Sequence, residues 1–181
     1  MRILGLSGSL RKASFNSALL RAAAQSMPPG AELDIGTIAG IPLYDGDLEA
    51  AEGLPGPVSE LKEQIVRADG LLLVSPEYNN SLPGVFKNAI DWTTRPASDI
   101  DRVFKGKKVA LMGASAGAFG TILSQNAWLP VLRTLGMDLW SSGRLLVPKA
   151  AMAFDESGAL VDDKIRARLR RFLDGFVAHL R

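Results

Sequence analysis

The chain has 181 residues, 47% of them hydrophobic and 22% charged, with 21 basic against 19 acidic side chains and no cysteine. Such a chain is ordinary for a soluble globular protein and is most simply a single domain over residues 1–181, burying roughly 70% of its unfolded surface. The composition excludes disulfides, thiolate metal sites and cysteine nucleophiles, and a net charge of +2 gives no electrostatic footprint for nucleic acid. The longest apolar runs are about five residues, against the roughly 20 that a membrane helix needs, so no membrane insertion is expected. Nothing reads as a signal peptide, and the expected location is cytoplasmic.

In chain order, Ile3-Leu4-Gly5-Leu6 is a short apolar run of the kind found in a central parallel strand covered on both faces. Ala18, Leu19, Ala22 and Ala23 then form a helical face that ends before Pro28-Pro29-Gly30. Glu32–Ile35 is a short second strand. Gly36–Pro57 shows no sustained periodicity and is rich in Gly, Pro and Asp, which predicts a long, functional loop. Val58–Arg67 reads as a helix leading into the strand Gly70–Val74. Pro76 ends that strand, and Pro83 suits the first turn of a helix carrying Val85, Phe86, Ala89, Ile90 and Trp92 as its apolar stripe.

Val103–Lys108 reads as a charged turn before another buried strand, Val109–Met112, and a helix runs from the following loop to about Leu135. Leu145–Val147 is a fifth strand closed by Pro148. Ile165, Leu169, Phe172, Leu173, Phe176, Val177 and Leu180 mark one buried face of a last helix. The basic clusters, Lys105–Lys108 and Arg166–Arg171, lack interleaved aromatics and read as solvated faces. Strands alternating with helices predict an α/β fold: a doubly wound, five-stranded parallel sheet in the flavodoxin-like order 2-1-3-4-5.

Three loops follow strands, where open α/β sheets place their ligands. The first, Ser7–Asn16, supplies three hydroxyls, the Asn16 amide, the Arg11 guanidinium and the amides of a helix start, a set suited to an anion. It is neither a Walker A loop nor a G-x-G-x-x-G site, and Ser14 or Asn16 would equally serve as a helix cap. The second, Ser75–Pro83, places Glu77-Tyr78-Asn79-Asn80-Ser81 between a buried strand and a helix N-terminus.

The third, Gly113–Gly120, is glycine-rich, and Gly113-Ala114-Ser115-Ala116-Gly117 fits G-x-S-x-G, the nucleophile elbow of serine hydrolases. That alternative needs a histidine base, and the single histidine, His179, falls in the last turns of an amphipathic helix. Together the loops suit a flat heterocycle bearing one phosphate, and an enzyme built this way would take its chemistry from a cofactor.

Ser9-x-Arg11-x-x-Ser14-x-Asn16, Pro76-Glu77-Tyr78-Asn79, Pro83-Gly84-x-x-Lys87-Asn88-Ala89-x-Asp91-Trp92 and Ser115-x-Gly117-x-x-Gly120 resemble the NADPH-dependent FMN reductase family, in order and over nearly the whole chain. The resemblance implies that Ser9, Arg11, Ser14, Phe15 and Asn16 hold the FMN phosphate end. It further implies that Pro76, Glu77, Tyr78 and Asn79 meet the polar edge of the ring, and that Ser115 and Gly117 line the other side. It also implies NADPH or NADH as co-substrate, a small-molecule electron acceptor, and a homodimer or homotetramer. A flavodoxin-type electron carrier is the other reading on the same fold. Carriers of that kind tend to be strongly acidic, and this composition is not.

Overall fold

A computed structural model describes residues 1–181. Strands β1 (Arg2–Ser7), β2 (Glu32–Gly36), β3 (Gly70–Val74) and β4 (Lys108–Ala114) all pair in parallel, with helices between them. With β5 (Asp138–Leu139) at the far edge the order is β2-β1-β3-β4-β5, as the alternation predicts. Each strand's residues turn alternately to opposite faces. Leu71 and Leu73 of β3 enter one core while Leu72 and Val74 enter the other, so a strand covered on both sides is apolar throughout.

One core is closed by α1 (Phe15–Gln25) and α8 (Asp163–Leu180). The other is closed by α3 (Gly56–Arg67), α4 (Gly84–Thr93), α5 (Ile100–Phe104) and α6 (Ile122–Thr134). The stripe read in α8 is buried from Ile165 to Val177, and Asp162 caps the helix by accepting from the amides of Lys164 and Ile165.

Three expectations need correction. The fifth strand position is split. β5 pairs with Lys108 and Val109, and β6 (Leu145–Val147) pairs with Met112–Ala114, which makes six strands instead of five. The chain leaves the edge because Trp140, whose amide still donates to Val109 O (2.9 Å), packs its indole against Phe172 and Phe176. Gly143 and Gly175 leave the room for it; a Cβ on either would fall 2.1 or 2.7 Å from the indole.

The long loop contains α2 (Gly46–Glu52), a helix with no buried residue and hence no apolar period to detect. Asp45 caps it, and α4 pins the segment before it: Asn88 Nδ2 and Trp92 Nε1 both donate to Pro42 O, and Tyr44 N donates to Asn88 Oδ1. The charged turn at Val103–Lys108 is partly α5, held by buried Val103 and Phe104. A further short helix, α7 (Ala150–Ala153), follows β6.

Candidate functional site

The carboxyl ends of β1, β3 and β4 open into a cleft of about 220 Å³, lined by Ser9, Arg11, Ser14, Phe15, Asn16, Pro76, Glu77, Tyr78, Ala114, Ser115 and Ala116. All three expected loops meet there. Asn79 and Gly117 are not among the lining residues, and Ala114 and Ala116, which the motif reading passed over, are.

The first loop leaves β1 at Gly8, whose amide donates to Val74 O (2.9 Å) and which has no room for a side chain: a Cβ there would meet Phe86 at 2.4 Å. Ser14 caps α1, its Oγ accepting from Ser17 N. The amides at the very start of a helix have no acceptor within it, and in α1 the first residues, Phe15 and Asn16, line this end of the cleft. Ser9 Oγ accepts from Arg11 N at 3.3 Å, and the Arg11 guanidinium donates to Ala13 O at 2.7 Å, folded back on its own loop within reach of the same space. Phe15 stacks on Phe154, with ring centroids 5.9 Å apart.

Asn16 is buried, and both polar atoms of its side chain are engaged. Nδ2 donates to Ala114 O (2.8 Å) while Oδ1 accepts from Ala114 N (2.9 Å), a two-bond clasp between the first and third loops. Asn16 thus helps shape the cleft by tying the first loop to the third.

In the second loop, Tyr78 and Ser81 exchange both backbone hydrogen bonds at 3.0 Å, with Asn79 and Asn80 between them at φ 50° and 63°. That is a two-residue hairpin turn of the type asparagine tolerates, and it carries Asn79 to the tip. The Glu77 carboxylate accepts from the amides of Leu123 (2.8 Å) and Ser124 (3.1 Å) in the first turn of α6. Beneath it, buried Ser75 Oγ lies 2.8 Å from Ser124 Oγ and accepts from Trp128 Nε1 at 2.9 Å. The loop is therefore fastened to α6 at two levels. No local signal announces this, because the partners lie 46 or more residues away.

In the third loop, Ser115 Oγ donates to Gly120 O (2.6 Å), and Lys149 N and Ala150 N donate to the carbonyls of Gly117 and Ser115. His179 lies elsewhere. Its Nε2 is 3.4 Å from Asp138, and its carbonyl accepts from Lys108, the first residue of β4. Ser115 follows the last residue of that strand, so β4 separates the two by about 20 Å at roughly 3.3 Å per residue. No serine–histidine pair exists, and the hydrolase alternative is set aside.

A family profile described as NADPH-dependent FMN reductase matches residues 1–152. An NAD(P)H-dependent FMN reductase of Pseudomonas aeruginosa is 43% identical over 173 residues, covering 96% of this chain and 91% of that one. A 2-hydroxy-1,4-benzoquinone reductase of a Burkholderia species is 37% identical over 181 residues, covering 100% and 97%. Among solved structures, a flavoenzyme NAD(P)H:(acceptor) oxidoreductase from Paracoccus denitrificans superposes with a TM-score of 0.87 at 34% identity, covering 99% of this chain and 96% of that one.

Proposed function

The chain belongs to the NADPH-dependent FMN reductase family, and from that premise we propose that it is an NAD(P)H oxidoreductase. It would pass two electrons from the nicotinamide, by way of FMN, to a small acceptor such as a quinone, a free flavin, an azo compound or a metal oxyanion. The observation that carries this reading is the convergence of the three loops on one cleft at the carboxyl ends of β1, β3 and β4.

The residues present fit the cofactor. The free amides of Phe15 and Asn16, the Ser9 hydroxyl and the Arg11 guanidinium form a donor-rich end suited to a phosphate monoester. Arg11 exchanges Ala13 O for the phosphate. The backbone from Pro76 to Tyr78 would face the polar edge of a flat ring and Ser115 its other side, while Asn79 and Gly117 stand beside the cleft and not in its lining. FMN, when bound, supplies the hydride-accepting atom and the two-electron store.

What the chain adds is orientation and electrostatics. No side chain needs to move a proton: no histidine lines the cleft, and its one carboxylate, Glu77, is bound to α6. One stacking face on the ring would be shared by the two partners, so the nicotinamide leaves before the acceptor enters and the kinetics are ping-pong.

The protein would act as one cytoplasmic domain; no helix is long and apolar enough to cross a membrane. Exposed Val85 on α4 and Leu123 and Leu129 on α6 support assembly into a homodimer or homotetramer. The test is spectroscopic. Anaerobic NADPH or NADH should bleach the FMN-loaded protein in one two-electron step, and added quinone should restore the spectrum. Failure of both nicotinamides, alongside reduction by a one-electron donor, would make the protein an electron carrier.

A further inference from the structure

Two helix N-termini bear on the cleft, α1 through its own first residues and α6 through its bonds to Glu77, and the chain treats them in opposite ways. At α1 the first amides are free. At α6 the N-cap residue, Thr121, makes no capping bond; instead its buried Oγ accepts from Gln125 Nε2. The amides of Leu123 and Ser124 are taken by the Glu77 carboxylate, which arrives from the loop that meets the ring edge. A helix N-terminus carries about half a positive charge, so the carboxylate more than cancels it. The balance at this corner of the cleft is a fixed negative charge, held by two hydrogen bonds and by the Ser75–Ser124–Trp128 links below.

We propose that Glu77 is a positioning residue that holds the second loop on α6 and biases the site toward the oxidised flavin. The inference rests on the FMN reading above. Reduction adds negative charge to the ring, and a carboxylate lining the same cleft repels that charge more than it repels the neutral oxidised ring. Wild-type protein therefore binds oxidised FMN more tightly than reduced FMN and so readily gives its electrons up. The same carboxylate closes α6 to anions, which leaves α1 as the phosphate end and fixes which way round the cofactor lies.

The test compares wild-type, Glu77→Gln and Glu77→Asp proteins by potentiometric titration of bound FMN and by fluorescence titration of oxidised FMN. The glutamine keeps an acceptor for the α6 amides without the charge; the aspartate keeps the charge on a shorter arm. Glu77→Gln should raise the ratio of reduced to oxidised FMN affinity about tenfold, equivalent to about 30 mV for a two-electron couple. Glu77→Asp should stay near wild type. If Glu77→Gln weakens both redox states equally and leaves the potential unmoved, the residue is merely structural and the proposal is wrong. Should wild-type protein bind neither form of FMN, the proposed function falls first and this inference with it.

Discussion

Asn16 and Arg11 belong to the same motif and do different work. Asn16 is clasped on Ala114, and Arg11 is the one charged side chain of the first loop that lines the cleft. Arg11→Ala should weaken FMN binding by about 2 kcal/mol, the scale of one charge-assisted contact, and leave riboflavin binding unchanged. Equal losses for the two ligands in equilibrium titration would move the phosphate elsewhere. Ser115→Ala and His179→Ala should each keep reductase turnover within about tenfold, since neither transfers a proton, and neither variant nor the parent should hydrolyse activated esters. The residue types of the site were legible in the sequence because loop motifs keep their spacing. The division of labour was not, since Asn16 finds its partner 98 residues away and Glu77 its own 46 and 47 away.

At the scale of elements, periodicity revealed the helices long enough to repeat a buried face and missed the short ones: α5 and α7 bury two residues each, too few to show a period. α2 buries nothing, and the split between β5 and β6 depends on where Trp140 packs, which no strand pattern records. Close approach is the other feature hidden from pattern reading. A Cβ on Gly113 would lie 2.1 Å from Thr121 Oγ1 and 2.4 Å from the backbone carbonyl of Ser75, so β4, the second loop and the start of α6 meet there with no spare volume. Because one of those atoms is backbone, Gly113→Ala should cost about 3 kcal/mol, read as a lower urea midpoint, and should also weaken FMN by displacing the second loop. A glycine with no neighbour within 4 Å and an ordinary φ, such as Gly84, should accept alanine with little change.

For the whole molecule, the most strongly depressed carboxyl belongs to one network. Lys62, almost fully buried on α3, donates to Arg95 O and pairs with Asp99 at 2.7 Å, while Arg102 bridges Asp99 and Glu63. The Arg102 guanidinium, and after it Lys62, hold the Asp99 carboxyl far below the usual carboxylate range. A carboxyl depressed in the folded state stabilises above its unfolded pKa, about 4, and that contribution is lost as pH falls toward the folded value. Asp99→Asn should therefore cost roughly 3 kcal/mol near neutrality, because it strands the buried Lys62. The gap between variant and parent in thermal melts should narrow steadily below about pH 4; a gap independent of pH would show that the network's charge is not what matters.

The divided fifth strand also governs how copies of the molecule can meet. A sheet edge invites another chain to add a strand wherever it offers a long row of unpaired amides. Here one edge is broken into pieces of two and three residues, separated by the excursion at Trp140. The opposite edge, β2, carries Glu32 and Asp34, the latter tied to Arg2 at 2.5 Å. Both edges are thus poor templates for a growing sheet, one because it is short and interrupted, the other because it carries charge.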